Sequence, residues 1–365
     1  MIRNTKELGE VAARLKAEGL VSLDTEFIWR NTYRPLLCVV QLGARDGTSW
    51  VVDCLTGLNT DPLADLLADP SVVKVLHAAQ QDLEHLSHWT GASPVNIFDT
   101  QIAAAFAGFP SMMSLQKLLF EAIDVGLAKT ETVTDWSQRP LTAAQEAYAL
   151  DDVRYLGRLR EDLLKRVESF GTRAWLEEDL AVSDDPSAFA PVDPEEVWKR
   201  IKCGRAPMDG RAFSVLRALA AERERLAREW NLPRAWLSDD ASLVELARHQ
   251  PATHPFFRHR LRNRGQQELL AAAFLKAIKA GLEVPDEALP DNPHPNYLSE
   301  VQSAANEAMT FLREKAEAAH VDPAAVANRA TVTAWVDNPD DMSNPLASGW
   351  RYDFIGRLIA EKFVV

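Results

Sequence analysis

Cysteine is scarce in this chain of 365 residues: Cys38, Cys54 and Cys203 are spread along its length. An odd, widely spaced set offers no disulfide framework and no cysteine-based zinc site, and a reducing cytoplasm is its simplest home. Long apolar runs are missing too. Charges interrupt each one well short of a membrane-spanning length, so no membrane partner is expected. The start, Met1-Ile2-Arg3-Asn4, leads into a charged amphipathic segment and lacks the apolar block of a secretion signal. Nor is there an excess of positive charge. The formal net charge of -13 lacks the overall basic footprint of most nucleic-acid binders.

What is present is the composition of a folded protein, 47% hydrophobic, in a chain too long for one ordinary core and suited to two or three domains. Acidity does not exclude a metal-dependent nuclease, whose site gathers carboxylates while its basic surface stays local. One such surface is Arg258-His259-Arg260-Leu261-Arg262-Asn263-Arg264. It reads equally as a phosphate-contacting run or as the solvated start of a helix.

The first part alternates strands and helices. Periodicity predicts a helix over 4–18, strands over 21–28, 36–43 and 48–54, and a turn at Arg45-Asp46-Gly47. A helix follows Asp61-Pro62, where proline suits the first turn. A short strand over 72–77, a helix over 80–89, a strand over 95–98 and a helix over about 100–107 come next. Helices over 115–123, after a Ser114 cap, and from Thr142 through Val167 complete an α/β domain. The segment from Val182 to Pro194, rich in proline and acid, reads as a boundary. Beyond it the pattern is helical, with a second proline-rich boundary between Pro285 and Pro295.

Within this frame, Asp24-Thr25-Glu26 lies on the first strand, where period-two geometry sends both acids to one face. Adjacent carboxylates repel unless a cation lies between them, and oxygen ligands suit a hard divalent ion. An exposed polar edge would also explain the pair, although Val21, Leu23 and Phe27 make the strand partly buried. Tyr148 and Asp152 are four apart on one helix face. There a phenol can orient a water beside a metal-ligating carboxylate, or both can be ordinary surface residues. Asp82 near a helix start suits a first-turn role as well as a metal. No His-Glu-x-x-His run supports a zinc peptidase.

Taken together, Asp24-Thr25-Glu26-Phe27, His77-Ala78-Ala79-Gln80-Gln81-Asp82-Leu83-Glu84 and Tyr148-Ala149-Leu150-Asp151-Asp152 resemble the three motifs of the DEDD 3'-5' exonucleases, in their tyrosine branch. Phe98-Asp99-Thr100-Gln101, Asp135-Trp136-Ser137-Gln138-Arg139-Pro140-Leu141, Asn231-Leu232-Pro233-Arg234 and Gly349-Trp350-Arg351 are similar to the ribonuclease D family in particular. That resemblance implies an α/β ribonuclease H-like exonuclease domain with a mixed β-sheet over 1–180 and a linker over 181–204. Two small all-α HRDC-like domains over 205–289 and 290–365 would follow.

It further implies that Asp24, Glu26, Asp82 and Asp152 hold two divalent ions, Mg²⁺ or Mn²⁺, while Tyr148 positions the attacking water. His77 and Asp99 would support the acids from behind. Trp136, Arg139, Arg258, Arg260, Arg262 and Arg264 are candidate RNA contacts, with Trp136 equally readable as a core aromatic. Phe256 or Phe257 could stack on bases or serve as packing anchors. The implied activity is release of nucleoside 5'-monophosphates from an accessible single-stranded RNA 3' end, with transfer RNA precursors as substrates and the protein acting as a cytoplasmic monomer. A DNA-directed exonuclease and a catalytically silent nucleic-acid-binding scaffold are the alternatives. The five site residues argue against the scaffold.

Overall fold

A computed structural model describes residues 1–127, 134–185, 192–204, 208–253, 266–293 and 295–364. Five strands, β1 (Leu20–Ile28), β2 (Leu36–Gly43), β3 (Ser49–Asp53), β4 (Val73–Leu76) and β5 (Ile97–Asp99), form one sheet in the order β3-β2-β1-β4-β5. β1, β4 and β5 run parallel, and β2 pairs antiparallel with β3. This is the mixed, helix-flanked sheet that the motifs implied. Its central strand begins Leu20-Val21-Ser22-Leu23, all buried, because helices cover both faces.

The flanking helices are α1 (Thr5–Glu18), α2 (Asp61–Ala68), α3 (Gln80–Thr90), α4 (Thr100–Phe106), α5 (Leu115–Ile123), α6 (Ala143–Arg154), α7 (Leu156–Phe170) and α8 (Arg173–Ala181). Several ends follow local chemistry. Ser114 caps α5 through the Lys117 amide, and Thr142 and Gln145 form a reciprocal capping box at the start of α6.

The single helix predicted from Thr142 through Val167 is in fact two, separated at Tyr155 (φ -106, ψ -4). The division follows from packing. α6 lies on β1 and β3, whereas α7 turns Leu156, Leu159, Leu163 and Val167 toward α4 and α5. The end of α6 rests directly on β2: a Cβ on Gly43 would lie 2.8 Å from the Val153 carbonyl oxygen. Gly157, two residues on, is the one local sign of the break, since glycine weakens a helix interior.

The chain forms two compact units. The first comprises Met1–Ile28, Leu37–Ala190 and Tyr297–Val365. Its C-terminal helices, among them Ser299–Ala318 and Arg329–Asp337, share a core with α4, α5 and α7. Trp350 stacks on Trp175 at 5.1 Å, and its indole N–H donates to Asp179 Oδ1 at 2.8 Å. Arg351 forks onto the same carboxylate at 2.6 and 2.8 Å. Gly349 is required there: φ is +63, and a Cβ would fall 1.9 Å from Glu178 Oε1.

The second unit comprises Trp29–Leu36 and Pro191–Asn296, and the regular elements among the described residues of 191–296 are helical. Its core joins the long helix Gly210–Glu229 to Asp240–His249 and Gln267–Leu282. Within the segment expected as a linker, Val197, Trp198 and Ile201 are buried in this core, as their apolar character favours. Among the described residues no helix is long and apolar enough to cross a membrane.

Candidate active site

The sheet register explains where the acids collect. β1 pairs with β4 only over Leu20–Ser22, so Asp24 and Glu26 run past the end of β4. The chain leaving β4 reaches α3, which carries Asp82, while α6 packs on β1 with Tyr148 and Asp152. Carboxylate oxygens of Asp24, Glu26 and Asp152 all lie within 4.8 Å of one another, the one such group among the described residues. Asp82 is not part of that trio. It accepts a short hydrogen bond from Thr25 Oγ1, the β1 residue that alternates with Asp24 and Glu26.

Like charges in a partly buried place are costly, and the acids show it. Burial, followed by the charges of Asp82, Asp152 and Glu26, pushes Asp24 well above its ordinary value. Glu26 is pushed up to about 8 by burial and by Asp152 and Asp82. Burial also lifts Asp152 to about 7, against a hydrogen bond from Tyr148, and lifts Asp82 to about 6, against the one from Thr25. Little within the protein compensates these charges. Gln41 Nε2 donates to Asp24 at 3.4 Å, and Asp152 Oδ2 is buried with no hydrogen-bond partner. An all-oxygen set of converging carboxylates with an orphaned buried oxygen fits a hard divalent cation.

Tyr148 is held in place by contacts that sequence reasoning left open. Trp136 is 3% exposed and packs at 6.0 Å from the Tyr148 ring, so it braces the phenol. Burial and the charges of Asp152, Glu26 and Asp24 raise the phenol far above its ordinary pKa and keep it neutral. Arg139, expected among the RNA contacts, spends its guanidinium inside the protein. It forks onto buried Asp53 at 2.9 and 2.7 Å and donates to the carbonyls of Cys38, Trp136 and Gln138. Its donors thereby anchor the Trp136 segment. Arg258, Arg260, Arg262, Arg264, Phe256 and Phe257 lie outside the described residues.

His77 and Asp99 stand behind the site. Asp99 accepts from the amides of Ala78 (3.0 Å) and Ala79 (2.8 Å), where Ala78 takes the left-handed φ of 58. It thereby fixes the turn that delivers α3 and Asp82. His77 bridges Thr100 Oγ1 at 3.0 Å and the Met113 carbonyl at 2.9 Å, and burial lowers its pKa. Both therefore shape the turn without joining the carboxylate trio. Thr25, Gln41 and His85 were not foreseen as site residues. His85 packs edge-on to Phe27 at 4.3 Å and lies 3.5 Å from Thr25 Oγ1. The signal available for Gln41 was a lone amide inside the apolar run of β2.

Residues 1–168 match the 3'-5' exonuclease family. Over 366 residues the chain is 38% identical to the Ribonuclease D of Gluconacetobacter diazotrophicus, covering 98% of this chain and 90% of that protein. It is 34% identical to the Ribonuclease D of Desulfotalea psychrophila, covering 97% and 96%. The crystal structure of Escherichia coli RNase D, described as an exoribonuclease involved in structured RNA processing, is similar with a TM-score of 0.85 and 27% identity. That likeness covers 99% of this chain and 97% of the other.

Proposed function

The chain belongs to the ribonuclease D family, and on that premise we propose that it trims the single-stranded 3' ends of structured RNAs, transfer RNA precursors among them, releasing nucleoside 5'-monophosphates. It is a metal-dependent 3'-5' exoribonuclease. The observation that carries the assignment is the trio Asp24, Glu26 and Asp152, three converging carboxylates raised in pKa with no basic partner among them.

In this reading Asp24, Glu26 and Asp152 hold divalent ions directly, Mg²⁺ or Mn²⁺, and Asp82 supports a second ion. Such ions supply charge compensation on the phosphate and acidify a water. Every other part of the work falls to this chain's residues. Tyr148, neutral and beside Asp152, cannot take a proton, so its role is to orient the attacking water or a phosphate oxygen. Trp136 fixes the phenol ring, and the Arg139–Asp53 clamp fixes the Trp136 segment. Thr25 aims Asp82 through its hydroxyl. The protein works as a monomer, and a cytoplasmic setting accords with its three free thiols.

Digestion of matched 3'-extended RNA and DNA hairpins with Mg²⁺ or Mn²⁺ tests the assignment. Stepwise release of 5'-monophosphates from RNA, halting at the base-paired stem, is the expected result. Equal or faster DNA digestion would move the substrate to DNA, and endonucleolytic fragments would overturn the reading.

A further inference from the structure

Arginines inside this protein are generally paired: Arg139 with Asp53, Arg351 with Asp179, and Arg228 and Arg234 with Glu224. Arg160, on α7, breaks the pattern. Among the described residues it makes no hydrogen bond and no ion pair, and its Nε is buried without a partner. The guanidinium lies over the Phe98 ring, 5.1 Å from the centroid, which restrains it but satisfies no N–H.

Its charged neighbours include two arginines, Arg45 and Arg173, and one acid, Glu161. α7 lies against the turn bearing Arg45, where a Cβ on Gly157 would be 3.8 Å from Arg45 Cα. Burial, then repulsion from Arg45 and Arg173, lowers the Arg160 pKa. The nearby acid, Glu161, is already bound to Arg45 at 3.1 Å, and Arg173 is held by Glu177 at 2.6 Å and Glu168 at 3.4 Å. Leaving the buried Nε–H without an acceptor is costly, and repulsion from Arg45 and Arg173, each already paired with a glutamate, adds to the cost. An anion offering several acceptor oxygens would relieve both.

We infer that Arg160, flanked by Arg45 and Arg173, forms a phosphate-binding site distinct from the carboxylate site. The guanidinium's fixed fork matches phosphate oxygens, and its position over the Phe98 ring restrains it in advance. Phosphate chemistry has two sources for this enzyme: the backbone of a bound RNA, away from the end being trimmed, or a free phosphate or mononucleotide. The inference stands whether or not the RNA reading of the catalytic site is correct.

The test uses the full chain in two arms. In the first, thermal unfolding is followed with inorganic phosphate against chloride at equal ionic strength. Phosphate should raise the wild-type Tm by about 2–4 °C at ten times its Kd and leave Arg160→Met unmoved. Without phosphate the Arg160→Met protein should be at least as stable as wild type, which also shows that it folds. In the second, binding of a 3'-extended RNA hairpin in EDTA is titrated with salt. A backbone contact at Arg160 predicts that the slope of log K against log[salt] is shallower by about 0.7–0.9 in Arg160→Met. Cleavage of a dinucleotide should not change.

The exposed pair Arg45→Gln with Arg173→Gln should reproduce the direction of both effects. A phosphate effect without a slope effect identifies free phosphate as the ligand, and the two together identify RNA. Wild type and Arg160→Met behaving alike in both arms would overturn the site.

Discussion

One buried carboxylate, Glu224, and one half-buried trio, Asp24, Glu26 and Asp152, are built on opposite electrostatic plans. In the second unit Glu224 is 1% exposed, yet it accepts from Tyr33, Arg228 and Arg234. Burial works against its charge, but hydrogen bonds from Arg234 and Tyr33 and the Arg234 charge bring its pKa down to about 2. In the first unit Asp24, Glu26 and Asp152 face one another, and their pKa values go up. Both groups withdraw carboxylates from water. The difference lies in what answers the charge. Where arginines answer it, the result ties Tyr33 to the long helix Gly210–Glu229; where no cationic side chain does, the result is a place for cations.

That contrast can be broken by mutation, and the largest effect should fall on catalysis. Asp152→Asn is expected to lower nucleotide release at least ~10³-fold, about 4 kcal/mol of transition-state stabilisation, while metal-free Tm stays level or rises. Single-turnover kinetics with a melting curve checks both halves. Glu224→Gln should do the reverse. It strands two arginines and should cost about 2–3 kcal/mol in urea unfolding, below the range for fully buried pairs because Arg228 and Arg234 keep part of their side chains in water. Its kcat on a dinucleotide should match wild type.

Tyr148→Phe sharpens the division within the site. Losing a water-orienting hydroxyl should reduce kcat roughly 10–100-fold with KM nearly unchanged. Because the phenol never ionises in the working range, its removal should leave the shape of the pH–rate profile as it was.

The smallest effect is on the pH dependence of stability. Glu26, Asp152 and Asp82 titrate near 8, 7 and 6 in the folded chain, above their unfolded values. Their protonated forms therefore favour the native state, and that contribution is lost as pH rises through those values. In EDTA the Tm should drift down between about pH 5 and 8.5, and Mn²⁺ should flatten the drift. Glu224 has the opposite sign: its contribution is present above the ordinary carboxylate value and is lost as pH falls toward 2. The gap between wild type and Glu224→Gln should accordingly close in acid.

Much of this was legible in the chain. The alternation in β1 put Asp24 and Glu26 on one face, and the four-residue spacing put Tyr148 and Asp152 on another. The order of the three motifs made one site of them. The illegible parts depend on distant partners. Nothing local shows that Gln41 reaches Asp24 or that Thr25 holds Asp82. Arg139 near Trp136 was expected at the entrance to the site. Its carboxylate partner, Asp53, lies 86 residues away in sequence. The helical tail was legible as helices, but its sharing of a core with α4 and α8 rests on Trp350 meeting Phe106 and Trp175 and on Arg351 meeting Asp179.

The most direct test is digestion of a 3'-extended structured RNA by wild-type protein and Asp24→Asn, with Mg²⁺ or Mn²⁺ and with EDTA. The account predicts stepwise 5'-monophosphate release by wild type only when metal is present, and none by a folded Asp24→Asn protein. A well-folded Asp24→Asn protein that still shortens the RNA, or wild-type digestion undiminished in EDTA, would contradict it.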